Sequence, residues 1–272
     1  MQNAVRFFAR HPWSLPATLG TIAILSARVL PVLPFALVVV GALTLAERRW
    51  PARPEHARRL LNLAIWGARA AFQISALPLL AVGLGALAAR LGVPSLRIDR
   101  WPLWLSALLL VASFDLCEYL YHRAQHAIPW LWRRHALHHS DPCMNATTTE
   151  RHWWGDLVLK AVFFATPLAV VLRPSGLDYS IYAALSLYNY FSHANLRVDF
   201  GRWSWVLNSP AYHRLHHARE ARYYGANFAA LFPIFDVVLG SYRRAPEFVE
   251  TGLDHEPRTL VQALAWPPAT FA

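Results

Sequence analysis

The sequence predicts an all-α integral membrane protein with about four to six membrane-embedded helices in hairpins and a cytoplasmic helical cap that holds a histidine cluster. Three observations predict it. First, of 272 residues 56% are hydrophobic and only 15% charged, against roughly 25% charged in soluble domains. Second, the apolar residues are clustered. Val29 to Ala46 and Ala70 to Ala89 carry no charge, and Trp101 to Tyr121 holds only Asp115 and Glu118. Runs of roughly 18 to 20 apolar residues are long enough to span bilayer hydrocarbon. Third, the +10 formal charge comes from 26 basic residues, all Arg except Lys160, and the arginines sit mainly in the connections between apolar runs. The positive-inside rule produces that distribution. Nucleic-acid binding would need basic residues interleaved with aromatics on a soluble face, and no such segment is present.

Each element follows in order. The N-terminus, MQNAVRFFARHPW, is short and basic, and the apolar stretch Pro12 to Ala27 lacks a small-residue cleavage site. It reads as a retained membrane segment rather than a signal peptide. Residues 1–60 then comprise N-terminal membrane segments and a basic loop, ERRWPARPEHARR from Glu47 to Arg59, which faces the cytoplasm. A helix from Leu60 to Ala89 leads outward, RLGVPSLRIDR (Arg90 to Arg100) turns, and Trp101 to His126 returns, with Trp101 and Trp104 suited to an interfacial belt. A second hairpin runs from Leu157 to Leu172, through a Pro-Ser-Gly turn at Pro174 to Gly176, to Tyr179 to Ser192. Its arms of about 14 to 16 residues are short for a crossing at roughly 1.5 Å per residue. Their aromatic residues, such as Phe163, Phe164, Tyr182, Tyr188, Tyr190 and Phe191, read as packing. Chain after Phe200 forms the cap, and the tail 246–272, with four prolines, is expected to be irregular. No linker or low-complexity tract separates 61–245 into smaller domains. Cys117 and Cys143, without a C-x-x-C, indicate neither a disulfide framework nor a thiolate metal site. Two hairpins leave every histidine-rich segment on one side of the membrane.

Ten of the 13 histidines fall between His122 and His217, nine of them apart from His152. Y-H122-R-A-Q-H126 sets two imidazoles at i and i+4, one helix face. RRHALHHS carries His135, His138 and His139, and YHRLHHAR carries His213, His216 and His217. On a helix the three rings of H-x-x-H-H crowd one stripe. Single histidines such as His11, His56 and His255 read as surface residues. Chance supplies about 0.03 occurrences of H-x-x-H-H in a chain with this many histidines, so two, beside His193, mark a metal cluster. One zinc takes about four ligands, and nine histidines exceed that. H-E-x-x-H is absent, which argues against a zinc protease, and the paired E-x-x-H motifs of carboxylate-bridged di-iron sites are absent too. Imidazole suits redox iron. The competing reading is a histidine-rich membrane transition-metal transporter or metal-binding protein, which requires ligands strung along a path near the bilayer midplane.

The arrangement resembles the fatty acid hydroxylase/sterol desaturase superfamily of integral membrane di-iron enzymes over roughly Glu47 to Arg244. FDLCEYLYHRAQH is similar to its Asp-then-Tyr-x-x-His-Arg-x-x-His helix, and LWRRHALHHSDPCMNATTTER to its Leu-Trp-x-x-His-x-x-His-His-Ser and Asn-x-Thr-Thr pattern. FSHANLR resembles its single-histidine element, and SPAYHRLHH with Asn227, Asp236, Gly240 and Tyr242 its closing segment. The chain departs from the pattern at His152, one place off a frequent family histidine and so not counted as a ligand, and at Arg197, where some members carry a further histidine.

The resemblance implies that 61–245 is a catalytic domain in which His122, His126, His135, His138, His139, His193, His213, His216 and His217 bind two iron ions. With dioxygen as co-substrate and an external electron donor, a ferredoxin or a cytochrome b5-like protein, such a centre attacks a lipid C–H bond to leave an alcohol or a double bond. The lipid is of acyl, sterol, sphingoid or alkylglycerol type. Asp115, Glu118, Asn195 and Asp236 are the candidates to accept the outer N–H of the ligating imidazoles. Asn145 and Arg151 are equally suited to shaping the loop after the second box. The Arg-rich, Lys-poor composition points to a bacterial inner membrane, with the active site on the cytoplasmic side.

Overall fold

The structure, a computed structural model, describes residues 34–53, 58–244 and 248–268. The expected membrane segment Pro12 to Ala27, together with His11 and His56, lies outside them. The described residues are helical and contain no strand, with a lone bridge pairing Ala218 and Thr251. Helix α1 is described over 34–49. Helix α2 spans Arg59–Arg90 and α3 spans Leu103–Ala127, within two residues of the ends expected for the first hairpin. By length and composition, Leu103–Ala127 is the one helix among the described residues able to cross a membrane.

Local chemistry fixes these ends. At the end of α2, Gly92 takes φ +63, Val93 N donates to Ala88 O at 3.1 Å and Gly92 N to Ala89 O at 3.3 Å. That is a Schellman stop, which needs a residue free to enter the left-handed region. The second hairpin begins with α5, Asp156–Lys160, continues through a π-helical turn, Ala161–Ala165, into α6, Thr166–Leu172. Arg173 turns left-handed at φ 44. Ser175 and Asp178 then cap α7, Gly176–Ser186, reciprocally: Ser175 N donates to Asp178 Oδ2 at 2.7 Å and Asp178 N to Ser175 Oγ at 3.2 Å. The arm expected to run unbroken from Tyr179 to Ser192 breaks at Leu187 into α7 and the short α8, Tyr188–Ser192.

The chain divides into two compact units. One takes in Ala71–Phe114 and Leu157–Ala183. Its contacts are aromatic and apolar: the Phe114 ring lies 4.4 Å from Tyr182 and 6.2 Å, edge-on, from Phe164. The buried Asp178 carboxylate accepts the Ser106 hydroxyl at 2.6 Å. Leu79, Trp104, Leu108 and Phe163 are exposed on its surface.

The other unit takes in Phe35–Ala70, Asp115–Asp156 and Ala184–Ala272. It contains α4 (Pro129–His139), a 3-10 turn (Ala146–Glu150), α9 (Pro210–His216), α10 (Ile234–Val238) and α11 (Leu260–Leu264). The tail expected to be irregular thus holds a helix. Its Thr259 hydroxyl accepts Gln262 N at 3.3 Å as the N-cap, and prolines flank the helix without interrupting it. Ala263 and Trp266 bury against Ile65, Ala136 and Leu137, and Trp266 Nε1 donates to Arg133 O at 2.8 Å. The boundary expected near 246 therefore falls inside one packed unit, because the tail supplies the apolar cover for the outer face of α4.

Candidate metal centre

Each histidine-bearing segment is fixed by its own local structure. On α3 the stripe next to His122 and His126 is anchored when Tyr121 Oη and Gln125 Nε2 both donate to Asp156 Oδ1, at 3.0 and 2.8 Å. Pro129 starts α4 at its first turn, where the missing N–H costs nothing. Its end is held by Arg151, which is buried and donates to Leu137 O, Ser140 Oγ and Asn62 Oδ1 at 3.0 to 3.2 Å. Ser209 caps α9, accepting Tyr212 N at 3.2 Å.

These segments bring all nine sequence-predicted histidines together. The potential ligand atoms of His122, His126, His135, His139 and His216 lie within 4.8 Å of one another, and those of His138, His193, His213 and His217 form a second such group. The two groups are neighbours: the His139 ring, of the first, stacks on His217, of the second, at 4.3 Å and 18°.

The triplets do not share one stripe, as the spacing alone led one to expect; they divide. Rings at i and i+4 go to the same group: His122 with His126, His135 with His139, His213 with His217. The ring at i+3 goes to the other group, His138 to the four and His216 to the five. Successive helical residues point about 100° apart. A consecutive His-His pair therefore addresses two centres.

The ring geometry fits metal ions better than hydrogen bonds. His135 Nε2 lies 3.0 Å from His122 Nε2 and 3.1 Å from His139 Nε2. His193 Nε2 lies 3.1 Å from His138 Nε2 and 3.0 Å from His213 Nε2. An imidazole nitrogen has one in-plane lone pair or one N–H, so neither central nitrogen can serve two hydrogen bonds. With metal–nitrogen bonds of about 2.1 Å, neighbouring ligands stand about 3.0 Å apart on an octahedron and about 3.4 Å apart on a tetrahedron. The buried Nε2 atoms of His126, His216 and His217 have no hydrogen-bond partner. Burial, reinforced by neighbouring imidazoles, pushes His135, His138, His139, His213 and His217 well below the usual imidazole range. Burial takes His193 and His216 down to about 4. Neutral imidazole is the ligating form.

Orientation comes from backbone carbonyls. Nδ1 of His122 donates to Phe228 O at 2.8 Å, Nδ1 of His216 to Ala226 O at 2.8 Å and Nδ1 of His193 to Asn189 O at 2.7 Å, which leaves each Nε2 for a metal. Two of these acceptors flank Asn227, held at φ 59. Its side chain donates to Tyr212 O and Arg243 O and accepts Arg243 N, at 2.8 to 3.1 Å.

Asp115, Asn195 and Asp236 direct their side chains at other groups. Asp236 accepts Phe228 N at 2.8 Å, Ala229 N at 2.9 Å, Ser241 Oγ at 2.7 Å and the Tyr212 hydroxyl. Asp115 accepts Leu231 N and Phe232 N, each at 2.9 Å. The two carboxylates thus pin the strap whose carbonyls orient the imidazoles. Asn195 pairs with the Arg53 backbone and with Arg214 Nη2. Glu118, half-buried, lies one turn before His122. Neither His152, stacked on His138 at 4.0 Å, nor Arg197, which donates to Ala52 O at 3.1 Å, belongs to either ligand group. Sequence reasoning missed Glu47, whose buried carboxylate accepts Ala146 N and Asn195 N at 2.8 Å.

Residues 107–241 match the profile of the fatty acid hydroxylase family. The alkylglycerol monooxygenase of Xenopus tropicalis is 31% identical over 59% of this chain and 34% of its own length. The ornithine lipid hydroxylase of Rhizobium tropici is 29% identical over 54% of this chain and 45% of its own. The cholesterol 25-hydroxylase of Mus musculus is 28% identical over 51% and 47%. The matched stretch thus spans between about a third and a half of these curated relatives. No solved structure matches the chain.

Proposed function

Residues 107–241 belong to the fatty acid hydroxylase family, and on that premise we propose that this chain is a membrane-bound di-iron enzyme that inserts oxygen into a lipid C–H bond. The observation that carries the reading is the pair of adjacent all-imidazole groups, five and four strong, bridged by two H-x-x-H-H triplets. Gathering at two points, rather than along a path, favours an enzyme over a transporter.

When bound, the two irons supply activation of dioxygen for attack on an otherwise inert C–H bond. The hydroxylation balances as R–H + O2 + 2 e− + 2 H+ → R–OH + H2O. The electrons come from a separate donor of ferredoxin or cytochrome b5-like type. His122, His126, His135, His139 and His216 hold one iron; His138, His193, His213 and His217 hold the other. The Phe228, Ala226 and Asn189 carbonyls keep three of those rings in the ligating tautomer. Asp115 and Asp236 hold the strap 228–232 in register with α3. Asn195 ties the His193 segment to Arg214, beside His213, and Glu118 stands one turn before His122. Burial of the rings keeps water from the centre.

A lipid with a large hydrocarbon body and a polar group at one end fits the range of the relatives, whose names cite alkylglycerol, ornithine lipid and cholesterol. The reading takes the chain as multi-pass in a bacterial inner membrane, with the histidines at the cytoplasmic face. Its test compares lipid extracts of cells expressing the wild type or His139→Ala. A wild-type lipid heavier by one oxygen, absent from the variant, is expected. Identical lipid profiles, from cells whose purified wild-type protein carries two irons, overturn lipid hydroxylation.

A further inference from the structure

We infer that Glu47 is a positioning residue for the four-histidine group: its carboxylate clamps together the segments that present that group's ligands. The inference rests on the proposed metal centre and goes beyond it, because Glu47 lies outside 107–241 and in the stretch the sequence marks as a solvated basic loop.

The Glu47 side chain is fully buried in the last turn of α1. One oxygen, Oε1, accepts backbone N–H groups from two segments far apart in the chain, Ala146 N and Asn195 N, each at 2.8 Å. The other, Oε2, pairs with Arg59 Nη1 at 2.9 Å, and Arg59 Nη1 also donates to Asn145 Oδ1 at 2.8 Å. Asn145 in turn caps the 3-10 turn Ala146–Glu150. Ala146 follows the segment that bears the first triplet, His135 to His139, and Asn195 stands two residues after His193.

The backbone after Glu47 continues the clamp. Ala52 N donates to Asn195 O at 2.9 Å, and Asn195 Nδ2 to Arg53 O at 2.7 Å. Arg214, beside His213, donates to Asn195 Oδ1 at 3.1 Å and Met144 O at 3.2 Å. The network therefore converges on the His193 segment, which serves the four-membered group and contributes nothing to the five-membered one. The carboxylate holds two backbone donors on one oxygen and the Arg59 charge beside the other, and removing it leaves two amides without their acceptor and Arg59 without its counter-charge.

The test titrates the metal-free, detergent-solubilised full chain with Co2+, followed by visible absorption and equilibrium dialysis. Wild type is expected to take up two equivalents. Glu47→Ala should keep one at wild-type affinity and bind the other about 10- to 100-fold more weakly. Glu47→Gln keeps an acceptor for the amides but loses the ion pair, so it should weaken the same equivalent by less. If the alanine variant does not accumulate, Glu47→Gln alone decides. Both equivalents binding as in wild type, or both weakened equally, overturns the inference. Uptake of fewer than two equivalents by the wild type instead overturns the metal centre.

Discussion

Replacing Asp236 by Asn tests the strap that aims the imidazoles. The carboxylate receives four donors, two on each oxygen: Phe228 N and Ser241 Oγ on Oδ1, Ala229 N and the Tyr212 hydroxyl on Oδ2. Asn presents one acceptor oxygen and one donor NH2. Whichever way the amide turns, a hydroxyl can rotate to accept from it, but one backbone N–H, of Phe228 or Ala229, then faces a donor. An unpaired buried amide costs about 1–3 kcal/mol, and the remaining bonds lose their charge assistance, for a total of about 2–4 kcal/mol. A chain of this size loses roughly 2–4 °C of Tm per kcal/mol, so the apparent Tm in detergent should fall by about 4–16 °C. Because Phe228 O orients His122, iron at the five-membered group should fall as well. Ser241→Ala, which leaves both backbone donors paired while removing one hydroxyl donor and the partner of the Tyr119 hydroxyl, is the control and should cost about 1–2 kcal/mol. A Tm within about 2 °C of wild type, with full iron content, would show that the strap is not held by Asp236.

Three further outcomes follow from the same geometry. His216→Ala removes a ligand from the five-membered group and His217→Ala one from the four-membered group, so each should lower iron from about two to about one per chain, read by elemental analysis; equal loss of both irons in either variant contradicts the division. Asn227→Ala places a Cβ residue at φ 59 without the three side-chain hydrogen bonds; a loss of about 2–4 kcal/mol is expected in thermal unfolding, and no change refutes the role assigned to the turn. Gly252→Ala combines φ +103 with a Cβ 2.8 Å from Pro142 Cα; it should cost about 2–4 kcal/mol, whereas Gly225→Ala, also at positive φ but with open space around its Cβ, should cost less.

Much of the site was legible because ligation puts chemistry into side chains. The i, i+4 spacing of His122 and His126 and the two triplets are patterns that core packing does not produce. The ends of α2 and α3 were legible from Gly92 and from the prolines and arginines around the turns. Four things were not. The acceptors for His122, His193 and His216 are main-chain carbonyls of Phe228, Asn189 and Ala226, and a carbonyl leaves no mark on residue identity. Asp236 and Asp115 looked like direct imidazole partners because they are acidic residues near the histidine motifs, yet their acceptors serve the strap's amides. Glu47 carries no local signal at all: two of its partners are 99 and 148 residues away. The helix Leu260–Leu264 was hidden by its flanking prolines, although Thr259 offers the cap.

The alternation of ring assignments within each triplet has a consequence for assembly. Because one turn of α4 and one turn of α9 each reach both histidine groups, the spacing between the groups is set by helical pitch rather than by loops that drift. Losing one ring empties one centre, whereas fraying of either short helix undoes both at once. Occupation of either group therefore steadies the same two helices, and melting of α4 or α9 should empty both groups together.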